Sequence, residues 1–400
     1  ELAISESQER MAVVVEAADK DRMMELCAVD NIEVTHVANV TDTGRMRMFY
    51  GDVKVCDLTR EFIDSAGAKH YAKAEILPVE DMDPFKRDYE GATLKEKILS
   101  MMASPNVASQ KGLVEMFDST IGRSTVLMPY GGERQMTETQ VSVQKLPTDG
   151  YTDTASVMAF GFNPDLALWS PYHAAAYAVV EACTKVVCAG GDYSGMRFSY
   201  QEYFERMTSD PHTWGKPLAA LLGALKMQKE LGLPSIGGKD SMSGTFEHIH
   251  VPPTLVAFGI TTVDAKKVIS PEFKFKSMSG TDYLSGHIYL LKHTPLPNRM
   301  PDTDQLKENW SWFHDRVREG KIEAAWSLSY GGVAEALVKM SMGNGLGVMI
   351  DYPANELFNL GYGSIVFQSV EELEQPNLIR LGTVNRTGLS SGTIYPAPVL

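Results

Sequence analysis

Strand-length apolar runs alternate with helical patterns along this chain, and glycine or proline separates most of them. Strand patterns cover Gln140–Gln144, Asp153–Phe160 and Thr254–Val263. Between them, Pro171–Ala189 is a long, alanine-rich helical pattern that ends at a Gly-Gly pair. This order predicts domains that combine β-sheets with α-helices.

The same patterns predict three domains joined by a linker. Residues 1–77 form an α/β piece, 78–110 a linker with one helix, 111–275 a second domain and 284–390 a third. The other predicted strands are Met11–Val15, Ile32–Val40, Ser124–Pro129, His287–Leu291, Gly345–Ile350, Gly363–Gln368 and Leu378–Val384, with a hairpin segment at Met46–Val55. The other predicted helices are Asp19–Asp30, Thr93–Met102, Pro217–Leu231, Asp304–Arg318 and Gly331–Met342.

Composition limits the classes of function. The 400 residues are 44% hydrophobic and 22% charged, which is typical of a folded globular chain. A formal net charge of −14 argues against a nucleic-acid-binding surface. The four cysteines form no CxxC pair, and this sparse usage indicates an intracellular protein with reduced thiols. No apolar run reaches the roughly 20 residues that span a membrane.

The segment Gly237–Gly244 has the clearest chemistry. Its glycines allow the backbone to approach a ligand closely, Lys239 supplies a cation, and Ser241 and Ser243 supply hydroxyl groups. This combination suits a phosphate or a nucleotide, although its spacing differs from that of a P-loop. The alternative from the residues alone is a glycine turn with a solvated lysine.

Two further polar groups are ambiguous. The cluster Ser5–Arg10 precedes an apolar run and is either a ligand-binding strand entrance or a solvated loop. Glu181 and Lys185 stand at positions i and i+4 of a predicted helix, where a surface ion pair is the simpler interpretation and a ligand-binding face the alternative. The nine histidines form no metal-binding pattern, and no Cys-His-Glu glutaminase site is visible.

Three stretches resemble one enzyme family. Ile4–Met11 and Pro234–Ser243 resemble signature segments of the phosphoribosylformylglycinamidine synthases, and Gly331–Leu337 resembles the Gly-Gly helix start of their C-domains. The resemblance implies an α+β and α/β fold. An aminoimidazole ribonucleotide synthase-like N-domain, with a mixed or antiparallel sheet and helices, precedes an α/β C-domain. Both follow the end of a first C-domain.

The resemblance also implies a reaction, amide to amidine conversion. ATP, with Mg²⁺, phosphorylates the amide oxygen of formylglycinamide ribonucleotide, and ammonia released from glutamine displaces the phosphate. No catalytic residue is expected in this part of the enzyme. The sequence has no initial methionine and enters a predicted strand almost at once, so we expect a fragment whose partners are a glutaminase domain and a first synthetase unit. The residues implied to bind the ribonucleotide are Glu6, Ser7, Gln8 and Ser241, and those implied to bind the nucleotide are Gly238 and Lys239.

One departure from the family concerns a second, auxiliary Mg-ADP site of some long members. Its ligand positions match Ser142, Glu181, Lys185 and Ser327, of which Glu181 alone keeps a carboxylate. Because Lys185 would repel a metal ion, we expect a degenerate site that has lost its ADP. The alternative function is therefore a non-catalytic scaffold half that is inactive in isolation. Either role is expected in the cytoplasm, without nucleic acid or membrane.

Overall fold

The computed structural model describes residues 11–65, 69, 71–275, 286–385 and 393–394. The chain divides into two compact units, Glu1–Tyr71 and Ala72–Leu400. The finer division into domains and a linker remains a prediction.

The first unit contains two short helices and a β-hairpin. Its elements are α1 (Lys20–Val29), β1 (Arg45–Tyr50), β2 (Val53–Thr59) and α2 (Arg60–Asp64). The hairpin strands are antiparallel, and the turn between them contains Gly51 in a left-handed conformation, with φ of 56°. The predicted helix and hairpin of this unit are thus present.

The predicted strands Met11–Val15 and Ile32–Val40 are wrong, because neither segment is a strand. Both are largely exposed, and Val14 keeps 82% of its surface accessible. Hydrogen bonds between neighbouring strands stabilise a β-strand, and neither segment has a partner strand in the described part of this unit. An apolar run is therefore insufficient to specify a strand here.

The second unit holds the remaining elements. Its helices are α3 (Leu94–Ala103), α4 (Lys111–Val114), α5 (Pro164–Trp169), α6 (Pro171–Cys188), α7 (Pro211–Leu231), α8 (Thr303–Arg318) and α9 (Gly332–Met342). Its strands are β3 (Tyr130–Gly131), β4 (Thr137–Glu138), β5 (Ser142–Lys145), β6 (Thr154–Gly161), β7 (Arg197–Tyr203), β8 (Ser235–Lys239), β9 (Thr245–Phe246), β10 (Ile249–His250), β11 (Thr254–Asp264), β12 (His287–Leu291), β13 (Ile322–Ser327), β14 (Gly347–Ile350), β15 (Ile365–Ser369), β16 (Leu378–Asn385) and β17 (Thr393–Ile394).

A five-stranded sheet with the order β5-β6-β11-β7-β8 forms the first layer of this unit. All its neighbours are antiparallel except the parallel pair β7 and β8. Helix α6 packs on the inner face, and a Cβ on Gly161 would lie 2.1 Å from the carbonyl oxygen of Ala178. Small residues therefore let this helix lie directly on the sheet. The alternating burial of β6 leaves Met158 and Phe160 on the outer face.

A six-stranded antiparallel sheet with the order β13-β15-β12-β16-β14-β17 forms the second layer. Trp310 and Phe313 of α8 belong to the same core cluster as α6. Leu337 of α9 belongs to a second cluster, which also contains Met101 of α3. The segment before the first sheet therefore contributes buried side chains to this unit.

Two predicted elements of the second unit require correction. Helix α7 begins at Pro211 instead of Pro217, because Asp210 caps it by accepting a 3.0 Å hydrogen bond from the backbone N–H of His212. The predicted strand Ser124–Pro129 is reduced to a single bridge between Thr125 and Gln144. Ser124, the first residue of the predicted strand, is not extended, with φ of −101° and ψ of −7°, and it directly follows the left-handed Arg123.

Candidate functional site

The first half of the Gly237–Gly244 segment is an edge strand, so the interpretation as a simple turn is wrong. In the parallel pairing with β7, Tyr200 lies opposite Gly238 and Gln201 opposite Lys239. A Cβ on Gly238 would lie 2.4 Å from the carbonyl oxygen of Tyr200, and only glycine fits such an approach. The pairing fixes the backbone that carries Lys239.

The second half of the segment is tied to the end of β7. The backbone N–H of Ser241 donates to the carbonyl oxygen of Glu202 at 3.1 Å, and the N–H of Phe204 donates to the carbonyl oxygen of Ser241 at 2.9 Å. The hydroxyl oxygens of Ser241 and Ser243 are 2.9 Å apart. The structure thus brings Gly238, Lys239 and Ser241 together.

An open cavity of about 460 Å³ lies beside this strand and is lined by residues 199–201, 236–239 and Phe258. Lys239 is exposed, and its ammonium group has no ion-pair partner among the residues that the structure describes. Because β8 is an edge strand, it also presents backbone N–H groups that the sheet does not use. One free cation beside free amide donors is an arrangement suited to an anion.

Glu181 and Lys185 form a buried ion pair, so the prediction of a surface pair is wrong. The Lys185 ammonium lies 2.8 Å from Oε1 of Glu181 and donates to the carbonyl oxygen of Phe160 at 2.9 Å. Oε2 of Glu181 accepts a 3.1 Å hydrogen bond from the backbone N–H of Phe162. Burial raises the pKa of Glu181, while Lys185 opposes that shift. Both carboxylate oxygens therefore already have partners.

The other two residues matched to the auxiliary site do not complete a metal site. Ser142 is exposed on β5, whereas Ser327 is fully buried and its hydroxyl oxygen finds no hydrogen-bond partner among the residues that the structure describes. The small cavity that Lys185 lines measures about 10 Å³, which is the size of one water molecule. Across the described residues, no cluster of three or more His, Cys, Asp or Glu side chains could hold a metal ion.

Comparisons with known proteins identify the relatives of the chain. No family model matches it. It is 26% identical, over 90% of its length, to phosphoribosylformylglycinamidine synthase subunit PurL of Nocardioides sp., and 22% identical, over 94%, to that of Thermoplasma acidophilum. The chain is a homologue of the PurL subunits. It spans about half of each relative, 48% and 50% respectively.

Solved PurL structures share the fold. The structure of PurLQS from Thermotoga maritima matches with a TM-score of 0.68 at 20% identity, over 96% of this chain and 56% of that one. Thermotoga maritima PurL complexed with ATP matches with a TM-score of 0.67 over 96% of this chain and 56% of that one, also at 20% identity. The predicted mixed fold class and the predicted PurL relationship are therefore confirmed. Glu6, Ser7 and Gln8 lie outside the described residues and remain a prediction.

Glu202 lies on β7, whereas the sequence indicates a loop after the Gly190-Gly191 pair as a possible site position for it. Its side chain is 7% exposed, and burial, together with the nearby Asp240 carboxylate, raises the pKa of Glu202 to about 7. Along β7, Glu202 continues the inward-facing series of Phe198 and Tyr200. That alternation was visible in the sequence and identifies a carboxyl group on the buried side of a strand.

Proposed function

We propose that this chain is part of the ATP-dependent synthetase that converts formylglycinamide ribonucleotide to formylglycinamidine ribonucleotide in purine biosynthesis. The observation that carries the proposal is the exposed Lys239 on a glycine strand beside an open cavity, in a chain similar to PurL along 90% of its length. Solved structures show Thermotoga maritima PurL complexed with ATP and complexed with FGAR. Those ligands motivate the assignment to this chain.

In the proposed reaction the chain binds and orients phosphate groups. The amide oxygen of the ribonucleotide attacks the γ-phosphate of ATP, releasing ADP and giving an iminophosphate, and ammonia then displaces inorganic phosphate. Lys239 would neutralise phosphate charge, while the open backbone at Gly238 and the Ser241 hydroxyl would donate hydrogen bonds. These roles require no catalytic side chain from the described residues.

Magnesium does not fit the described residues. Mg²⁺ needs several hard oxygen ligands in octahedral geometry, and the candidate carboxylate, Glu181, is occupied by Lys185 and the Phe162 amide. We therefore propose that the auxiliary Mg-ADP site is degenerate and that the Mg²⁺ used with ATP is held outside the described residues.

The outer face of the five-stranded sheet supports a docking role. Met158 and Phe160 on β6 are 42% and 52% exposed, and Ile260 on β11 is 43% exposed. Contiguous apolar surface of this kind indicates a protein interface. We propose that the first synthetase unit covers it and that a glutaminase supplies ammonia. Such a biosynthetic complex is proposed to work in the cytoplasm. Separately, no helix in the described part of the chain could span a membrane.

A second candidate is a scaffold half with no turnover of its own. Two observations favour this alternative. Glu181 is already paired with Lys185, and the cavity that Lys185 lines, about 10 Å³, is too small for a nucleotide. The two candidates differ in the role of the strand that carries Lys239. It either binds phosphate groups or only packs against the first synthetase unit.

Titration of the purified chain with ATP, followed by an ammonia-dependent turnover assay, separates the candidates. The assay is run with the chain alone and with a separately produced first synthetase unit. We expect no turnover alone, and turnover with the sister unit that requires Lys239. Full turnover by Lys239→Ala mixed with the first synthetase unit would favour the scaffold role. If the two units assemble and the mixture still shows no turnover, the synthetase proposal is rejected.

A further inference from the structure

Helix α7 exposes a stripe of leucines. Its opposite face, which includes Ala220, Ala224 and Met227, is buried in the core. The stripe consists of Leu218, Leu221, Leu222 and Leu225, which are 40%, 49%, 41% and 49% exposed. The spacing i, i+3, i+4 and i+7 places all four on one side of the helix over two turns. A surface helix normally carries polar residues on that side, so the stripe indicates an interface.

The charges around the stripe are neutralised within the chain. Lys216 pairs with Glu205, and Lys226 pairs with Glu230. Lys229 is exposed one turn beyond the last leucine and has no ion-pair partner among the described residues. The leucine stripe therefore carries no charged side chain of its own. Lys229, at its C-terminal end, is a cation without an ion-pair partner among the described residues.

The stripe is symmetric about its centre, between Leu221 and Leu222. If a second α7 lies antiparallel across that point, Leu218 meets Leu225 and Leu221 meets Leu222 of the copy. The same symmetry brings Lys229 over Trp214, which lies one turn before Leu218 on the same side of the helix. A lysine above an indole ring is a favourable cation–π contact. The lysine at one end of the stripe is thus complementary to the tryptophan at the other end of the stripe on a copy.

Net charge favours self-association through an uncharged face. Two chains of net charge −14 repel each other, so copies can approach closely only where the surface lacks acidic groups. We propose that the α7 stripe is a homodimer interface in which two α7 helices pack antiparallel across a two-fold axis. Ile76, which is 46% exposed and lies beside Gly215 at the start of α7, extends the apolar area.

The proposed dimer is weak because the patch is small. Stable interfaces bury about 800 Å² per partner, which four half-exposed leucines do not reach. We therefore expect a dissociation constant on the order of 0.1 mM. This interface is independent of the proposed enzymatic role, since it lies on a helix and not on the Lys239 strand.

Sedimentation equilibrium from about 10 μM to about 1 mM tests the proposal. We expect Leu221→Glu alone and Leu222→Lys alone each to weaken self-association at least tenfold, because each new charge is then buried against a leucine of the copy, close to the like charge across the axis. An equimolar mixture of the two variants should recover a heterodimer, since the glutamate of one chain then meets the lysine of the other. Leu113→Glu is the matched control, because Leu113 is 61% exposed on the separate helix α4.

Circular dichroism should show that each variant is folded, since every substituted side chain is exposed. A chain that stays monomeric up to about 1 mM would overturn the proposal. The stripe would then be an interface for a different protein. Self-association that Leu113→Glu weakens as much as Leu221→Glu, or that the charge-paired mixture fails to restore, would also overturn it.

Discussion

The ammonium of Lys185 lies 2.8 Å from the carboxylate of Glu181, one turn earlier on α6, and both side chains are buried. This pair occupies the helix face where the family resemblance places an auxiliary metal site. A buried pair stabilises a fold little compared with an apolar replacement, but losing one partner leaves an unpaired charge. The pair therefore gives a direct test of the degenerate-site proposal.

Lys185→Met should lower the free energy of unfolding by about 3–5 kcal/mol at neutral pH, because Glu181 is left buried without its cation. The double substitution Glu181→Leu with Lys185→Met should recover most of that loss. Urea unfolding measures both. Lys226→Met is the control, since its pair with Glu230 is partly exposed and should cost about 0.2–1 kcal/mol. If Lys185→Met and Lys226→Met lowered the free energy of unfolding equally, the buried-pair interpretation would be contradicted.

The Lys185→Met variant should also gain stability relative to the wild type as the pH falls. Burial raises the pKa of Glu181 and Lys185 opposes the shift, so removing Lys185 raises this pKa further. A carboxyl group with a raised folded pKa stabilises the protein most when it is protonated, and that contribution is lost as the pH rises through the folded pKa. A difference in unfolding free energy that is constant with pH would exclude this explanation.

Lys239→Ala should weaken ATP binding by roughly tenfold or more, because a single charge-assisted phosphate contact contributes about 1.5–3 kcal/mol. Isothermal titration calorimetry measures the change. Lys95→Ala is a suitable control, since Lys95 is also exposed but lies on α3, away from the strand. Identical affinities for the two variants would remove the phosphate-binding role from Lys239.

Gly238→Ala should destabilise the edge strand by about 1–3 kcal/mol, since its Cβ would lie 2.4 Å from the Tyr200 carbonyl oxygen. The strand should then detach from β7, which hydrogen exchange of the β8 amides would detect. Gly112→Ala is the control, because a Cβ there meets nothing within 4 Å. Unchanged protection in Gly238→Ala would show that the close approach does not hold β8 in place.

Glu202 should make stability depend on pH. Burial, assisted by Asp240, raises the pKa of Glu202 from its ordinary value of 4.5 to about 7. The stabilisation is therefore complete below pH 4.5 and is lost as the pH rises through about 7. Between acidic and neutral pH we expect the wild type to lose, relative to Glu202→Gln, on the order of 1–2 kcal/mol after allowance for solvent screening.

Chemical unfolding of both proteins across this pH range measures the difference. Glu308→Gln serves as the control, because Glu308 is exposed on α8 and not on the strand that carries Glu202. Parallel profiles for the wild type and Glu202→Gln would show that Glu202 does not titrate in this range.

Elements with strong local signals could be predicted from the sequence. Helix α6 lies between the Ser170 cap and the Gly-Gly stop, and Thr93 with Glu96 forms a capping box at the start of α3. In such elements the neighbouring residues themselves supply the terminal hydrogen bonds, so their boundaries depend little on the rest of the fold. The Gly-Lys-Asp-Ser segment was likewise recognisable from its residue types.

Pairing and burial were decided by the tertiary structure. Met11–Val15 has a strand composition without a strand partner, whereas Ser235–Lys239 contains two glycines and becomes a strand because β7 lies beside it. The spacing of Glu181 and Lys185 is identical for an exposed and a buried pair, and the sheet that covers α6 makes the difference. Sequence determines which hydrogen bonds a segment can make locally, but distant residues determine its dielectric environment and its strand neighbours.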